Sequence, residues 1–528
     1  MLASAALLLI TGFFIVLGHD GRRVAQLLVL FLPAAVWLAW PVRSAAWRHA
    51  RRASVCLLVM AFAADGMLRA YLLETYQSAP DSTAVLGALA NTNLREMHEY
   101  LRMHWRTGLL GAAVWLTAGA LGWRLAAPGS PNAVVPPPRR WQVAGLAAVL
   151  LLCAAAWASK PWRRLHPLLY WPAWTQSLTD QQARWQDQTQ RRAALLQRAQ
   201  AQAPVVTHPG PSTVVLVITD SINRDNMQLY GYGRATTPRL VDMQRLQPEH
   251  MLVLRNAWSA DASTLPALDN LFAFGQPHAA APQHLIALAR AAGYKVWWMS
   301  NHDDMAVEQQ HARLADVVDM VNRTPGRASA SLDGELLDCI QEAIDDPTER
   351  KFIIVHLLGA HPHYRLRFPP DQNPFDDAVD RVESQLQAQG RPAWVRRFRQ
   401  DYDAALLYHD FVVAESLRIT QSGARAPGRS AWVYLSDHGQ EVGHGDNRAG
   451  HSPGTESGYR IPAIVWNSHA RAPADVALRP FRADWAGWTV ADTLGLDWPG
   501  EQPERNVLTR QYQWQPPSLP VQVRSFTD

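Results

Sequence analysis

The strongest constraint on this chain is where its charges are missing. Residues 1 to 158 carry long uncharged apolar runs, whereas the remainder reads as an ordinary globular sequence. Only 18% of the 528 residues are charged, below the roughly 25% typical of soluble domains. A single uniform soluble domain is therefore excluded, and two or more units are expected. Five stretches approach the ~20 apolar residues that cross a bilayer core: Met1 to Gly18, Val24 to Trp40, Ala53 to Leu73, Gly108 to Ala127 and Trp141 to Ala158. The first lacks a basic leader and is followed at once by the second, so an anchored span is expected rather than a removable signal.

Five spans would put the two ends of the chain on opposite sides of a membrane. The flanking arginines and Lys160 divide almost evenly between the two faces, so charge bias does not choose an orientation. Among the basic residues only Lys160, Lys295 and Lys351 are lysines. The arginine richness is thus a chain-wide bias, and no nucleic-acid partner is expected. Asp65 and Arg69 stand four apart in the third span and can neutralise each other on one helix face; lipid-headgroup binding is the alternative. The polar loop from Glu74 to Arg106 contains helical spacing (Val85, Leu89, Leu101) and is expected to lie on the membrane surface. A Gln- and Arg-rich stretch, Thr175 to Ala201, has no Pro or Gly and predicts a bridging helix, broken by the linker "APVVTHPGPS" that ends at Ser212. The expected division is 1–158 transmembrane, 159–212 bridge and linker, and 213–528 catalytic.

From Thr213 onward, short β-branched runs alternate with helical segments. "TVVLVIT", "YKVWWMS", "KFIIVHLLG" and "SAWVYLSD" are near-continuous apolar strands, the pattern of a sheet buried on both faces. A mostly parallel α/β sandwich follows, in which ligands gather beyond the carboxyl ends of the strands. Asp220 follows the first strand, His356 and His361 end the third, and Asp437 with His438 end the fourth; His444 and His451 come soon after. Mixed carboxylate and imidazole donors suit Zn²⁺ or Mn²⁺ better than Ca²⁺. Taken singly, each residue also fits a helix cap, a turn or a core hydrogen bond.

The segment "VVLVITDSINRDNMQLYGYGRATTPRL" (Val214 to Leu240) resembles the opening of the phosphoethanolamine transferases, membrane-anchored members of the alkaline phosphatase and sulfatase superfamily. "NAWSADASTLPALDNLFAF" resembles their nucleophile segment, especially in the branch that modifies the lipopolysaccharide core. "VHLLGAHPHYRLRFP", "YDAALLYHD" and "VYLSDHGQEVG" resemble later blocks in the same order, and the five spans also match.

The resemblance implies a metal-dependent transferase of the bacterial inner membrane with a periplasmic catalytic domain, a phosphatidylethanolamine donor and an envelope glycolipid acceptor. By position, Asp220 takes a metal-ligand place where many members have Glu, Asp437 and His438 take the other two, and Thr264 takes that of the nucleophile and fourth ligand. His361 and His451 match histidines that handle the phosphoryl group or a second metal. One tight Zn²⁺ site is implied, with a second as an alternative and Mn²⁺ less favoured. On the loop helix, Thr92 and Glu96 match donor-headgroup positions, while Ala88 stands where relatives have Asn; His356 is a further substrate-binding candidate. Ser263 and Ser221 are rivals to Thr264 as nucleophile, and the complete formylglycine motif of true sulfatases is absent at all three.

Only Cys339 lies in the catalytic part, which therefore cannot form the disulfides of many lipid A-modifying relatives. This favours the core-modifying branch. The competing functions are a related hydrolase or glycerol-phosphate transferase and, from another class, a non-catalytic membrane sensor or scaffold.

Overall fold

The computed structural model describes all residues except 1, 40–41, 43, 77–78, 93, 128–139, 187, 322–330, 425–427, 470–474 and 528. Met1 and Trp40, which bound two expected spans, thus lie outside the described residues. The chain forms two units, 1–90 with 96–182 and 91–95 with 183–528.

The first unit is helical: α1 (Leu2–Gly18), α2 (Gly21–Ala39), α3 (Ala45–Tyr76), α4 (Thr83–Asn91), α5 (Leu94–Met103), α6 (Trp105–Leu125) and α7 (Arg140–Ala158). Among the described residues three helices are long and apolar enough to cross a membrane, within α2, α3 and α6. Leu2–Gly18 and Val143–Ala158 are apolar but shorter, so length and composition support three of the five expected spans. Helices α1 and α3 meet through glycine, because a Cβ on Gly66 would lie 2.0 Å from the Phe14 carbonyl oxygen. Just beyond, Asp65 accepts hydrogen bonds from Arg69 Nε at 2.9 Å and Trp171 Nε1 at 3.0 Å, and pairs with His19 Nε2 at 2.8 Å. The Asp65–Arg69 pair is therefore the core of a larger buried network.

The expected surface helix is two helices, α4 and α5, with Thr92 in the break between them. The expected bridge is likewise two helices, Pro167–Gln186 and Thr189–Ala201. Its linker is partly ordered as a strand, Val205–Val206, paired with Leu496–Asp497.

The second unit is built on a seven-stranded mixed sheet. In chain order its strands are β1 (Ser212–Thr219), β2 (Met251–Val253), β3 (Lys295–Ser300), β4 (Val317–Met320), β5 (Arg350–Leu357), β6 (Arg429–Ser436) and β7 (Ala463–Asn467). Their spatial order is β2-β7-β6-β1-β5-β3-β4. Strands β6, β1, β5, β3 and β4 pair in parallel, while β7 runs antiparallel to both β6 and β2, so that six of the seven strands point the same way. Side chains alternate across a strand, and β1 shows the result: Val214, Leu216 and Ile218 enter one core layer, Val215 and Val217 the other. Both faces are covered, which explains its unbroken apolar run.

Candidate active site

Register brings the first two acidic groups together. Strands β1 and β6 run in step from Ser212 opposite Arg429 to Thr219 opposite Ser436, so Asp220 and Asp437 leave the sheet side by side. The Asp437 amide donates to the Thr219 carbonyl at 2.9 Å. The turn after β1 then places Ser221 in the left-handed region at φ 63°, where non-glycine residues are uncommon and often functional.

Around this turn six expected residues converge. Thr264 Oγ1 donates to Asp220 Oδ2 at 3.1 Å. His438 Nε2 lies 4.0 Å from Asp220 Oδ1 and 3.5 Å from Asp437 Oδ2. The His451 ring is centred 4.5 Å from that of His438 and 6.0 Å from that of His361. Thr264 opens the helix Thr264–Phe272, with Ser263 as an N-cap whose side chain makes no capping bond. A helix N-terminus favours a bound anion such as a phosphoryl group. Ser221 is fully buried, which fits a turn residue rather than a nucleophile.

The donor set accommodates a cation. Asp437 Oδ2 and His438 Nε2 are buried without hydrogen-bond partners, which is costly unless something else satisfies them. Donor atoms of Asp220, His438 and His451 also lie within 4.8 Å of one another. Burial drives the Asp437 carboxyl up, with His438 partly offsetting it. Burial also opposes the Asp220 charge, but the surrounding imidazoles, His361 foremost, hold that carboxyl well below its usual range. Burial lowers His438 as well, yet Asp437 and Asp220 outweigh it and raise the imidazole. The two adjacent carboxylates thus differ in acidity. Burial keeps His361 and His451 below the ordinary imidazole range, His451 at about 3.

The other expected residues lie elsewhere. His356 is fully buried within β5, its Nδ1 3.1 Å from Ser300 Oγ and its ring stacked on His302 at 4.0 Å. His444 turns away from the cluster toward Asn226 Oδ1, 2.6 Å from its Nε2. Thr92 is exposed, and Glu96 is half-buried in the first turn of α5.

Sequence reasoning missed His302, which follows β3 and lies 6.2 Å from His361, ring centre to ring centre; the strand-end rule applied to "YKVWWMSNH" would have found it. It also missed Asp333, which accepts the Leu358 and Gly359 amides at 2.9 and 2.8 Å and so shapes the loop leading to His361. Gly359 has φ +57°, and a Cβ there would lie 2.3 Å from Thr219 Oγ1 and 2.5 Å from the Asp220 carbonyl oxygen. Gly359→Ala is expected to cost at least about 1–2 kcal/mol from the backbone alone, seen as a lower melting temperature; an unchanged value would refute this account of the loop.

The sulfatase family profile matches residues 212–486. Phosphoethanolamine transferase EptC of Escherichia coli K12 is 30% identical over 468 residues, covering 82% of this chain and 78% of that protein. The crystal structure of the C-terminal periplasmic domain of E. coli EptC in complex with zinc superposes with a TM-score of 0.54 at 29% identity, covering 59% of this chain and 90% of that one. The integral membrane lipooligosaccharide phosphoethanolamine transferase A (EptA) of Neisseria meningitidis shares the fold across 96% of this chain and 98% of its own, with a TM-score of 0.59 at 18% identity.

Proposed function

This chain belongs to the sulfatase family, within which it is a phosphoethanolamine transferase, and from that premise we propose that it moves phosphoethanolamine from phosphatidylethanolamine to an envelope glycolipid through a covalent adduct on Thr264. The observation that carries this reading is the hydroxyl of Thr264, at a helix N-terminus, bonded to Asp220 beside Asp437 and His438. The acceptor is a lipopolysaccharide core sugar or its phosphate, or lipid A. The chain works in the inner membrane with its catalytic unit in the periplasm, a reading supported by the description of the E. coli domain as periplasmic.

Asp220, Thr264, Asp437 and His438 would hold one Zn²⁺, in keeping with the zinc complex of the E. coli domain. When bound there, the ion lowers the pKa of the Thr264 hydroxyl and screens the charge of the phosphodiester. Thr264 Oγ gives up its proton and attacks phosphorus, the bond from phosphorus to the diacylglycerol oxygen breaks, and that oxygen takes up a proton as diacylglycerol leaves. An acceptor hydroxyl then attacks the adduct, its proton passes to a histidine, and the Thr264 oxygen leaves. Thr92 and Glu96 are proposed to meet the donor headgroup, where Glu96 supplies a carboxylate for the ammonium. His356, fully buried and stacked on His302, is proposed as a further substrate-binding residue.

The test is product identity. Purified full-length protein in phosphatidylethanolamine vesicles with lipopolysaccharide should release diacylglycerol and add phosphoethanolamine to the lipopolysaccharide, read by mass spectrometry. Free phosphoethanolamine with an unmodified acceptor would instead identify a hydrolase.

A further inference from the structure

The helix Ala393–Ser422 begins with an aromatic face. Trp394, Phe398 and Tyr402 recur every four residues, so their side chains stand one above another along one side of it. Tyr364, from the short 3₁₀ turn Tyr364–Leu366, joins the row. Its ring is centred 5.0 Å from that of Tyr402 and 6.1 Å from that of Phe398, which in turn lies 6.1 Å from Trp394, each pair meeting edge to face. Aromatic pairs favour that geometry.

The inner end of the row is tied to the catalytic centre. The Tyr402 hydroxyl donates to the Ser221 carbonyl at 2.7 Å and accepts the Asn223 amide at 2.9 Å, while the Tyr364 hydroxyl accepts from Gln440 Nε2 at 2.9 Å. Ser221 adjoins Asp220, and Gln440 follows His438 by two residues. The outer end is open. Tyr364 and Tyr402 are buried, whereas Trp394 is 50% exposed.

Cations gather around that outer end. Arg397 is exposed and stands three residues from Trp394 and four from Asp401, neighbouring positions on a helix surface. Arg365, four residues after His361, brings its Nε to 3.9 Å from Asp401 Oδ1. Burial raises the Asp401 carboxyl, and Arg365 and Arg397 both pull it back, so the two guanidiniums border one buried acid. Arg365 also donates through Nη2 to Asp376 Oδ2 at 3.3 Å, but both of those side chains are exposed. Such a pair contributes little and can be exchanged for a stronger anion.

We propose that Trp394, Arg365 and Arg397 form an acceptor subsite that takes a phosphorylated sugar, the indole covering the apolar side of the sugar ring and the guanidiniums holding its phosphate. Tryptophan beside arginine is the composition of a binding hot spot, and a planar guanidinium meets phosphate through two parallel hydrogen bonds. The inference rests on the reading above that the acceptor is an envelope glycolipid, and deepens it by naming where that glycolipid is gripped. Eight helical residues, about 12 Å, separate Trp394 from Tyr402. The unit gripped is therefore a neighbour of the sugar that receives the group, and the subsite acts on affinity and selection rather than on the chemical step.

The experiment uses full-length protein in detergent micelles, titrated calorimetrically with deacylated lipopolysaccharide, which keeps sugars and phosphates and lacks acyl chains. Trp394→Ala should weaken binding about 10-fold, the scale of one lost aromatic stack, and should raise KM for lipopolysaccharide alike, with kcat, bound zinc and melting temperature as in wild type. Trp394→Phe should restore most of the affinity. Arg365→Gln with Arg397→Gln should weaken binding about 10-fold, and should cost nothing when the oligosaccharide has first been dephosphorylated.

Unchanged binding and KM in Trp394→Ala would overturn the subsite. A fall in zinc or melting temperature parallel to the lost affinity would make the ring structural, and weaker binding to phosphatidylethanolamine vesicles without lipopolysaccharide would make it a membrane anchor; either overturns the assignment. Equal losses of the arginine variant toward both oligosaccharides would remove the phosphate from it. If wild type binds the oligosaccharide through Trp394 yet releases no diacylglycerol from phosphatidylethanolamine, the subsite stands and the transfer reading fails, so the two failures remain distinguishable.

Discussion

Thr264→Ala should reduce transfer to lipopolysaccharide by at least about 10³-fold, because no second hydroxyl occupies its place and a covalent route cannot start without a nucleophile. The protein should otherwise be intact. Ser263, not Thr264, is the N-cap of the helix, and Thr264 is only partly buried, so the melting temperature of the metal-free protein and membrane insertion should match wild type. The adduct found on Thr264 after incubation with phosphatidylethanolamine should disappear. Thr264→Ser should recover part of the rate, since it keeps a hydroxyl at the same atom. Full activity in the alanine variant, with the adduct now on Ser263, would transfer the nucleophile's role to its neighbour.

Asp437→Asn should divide stability from activity. Asp437 Oδ1 accepts the amides of Ser221 at 3.1 Å and His438 at 2.6 Å, and an asparagine oxygen can accept both. What changes is Oδ2, buried without a hydrogen-bond partner and 3.5 Å from His438 Nε2. In metal-free protein, removing a carboxylate that burial already disfavours should leave the melting temperature unchanged or higher. In wild type, zinc at 1,000 times its Kd should stabilise by about 4 kcal/mol, and the variant should lose that gain together with transfer. A variant that bound one zinc and melted like zinc-loaded wild type would remove Asp437 from the ligand set.

The parts of this molecule legible in its sequence are those where local pattern and burial agree. Strands β1, β3, β5 and β6 are unbroken β-branched and aromatic runs because both faces are covered, and their ends announced Asp220, His361 and Asp437. Strand β7 was missed: five residues after a proline carry too little pattern to show a strand, yet it lies between β6 and β2 and makes the sheet mixed. The division at Thr92 and that between Pro167–Gln186 and Thr189–Ala201 were missed as well, because high helix propensity across a segment does not show where a helix ends. Within the site, Thr264, Asp437 and His438 could be matched to a family pattern residue by residue. The turn at Ser221 could not, since it depends on a positive φ that no residue pattern announces. His302 illustrates a third case, in which the rule was available and was not applied to that strand.

The in-step pairing of β1 with β6 also limits which lengths of chain can work. Adding one residue inside either strand would swing its terminal acid to the other side of the sheet, and adding two would advance it by about 7 Å. Neither error could be absorbed by a side chain. Length variation compatible with activity should therefore be confined to connections at the amino ends of these strands, such as the one before Arg429, leaving the opposite rim as a fixed ruler for the chemistry.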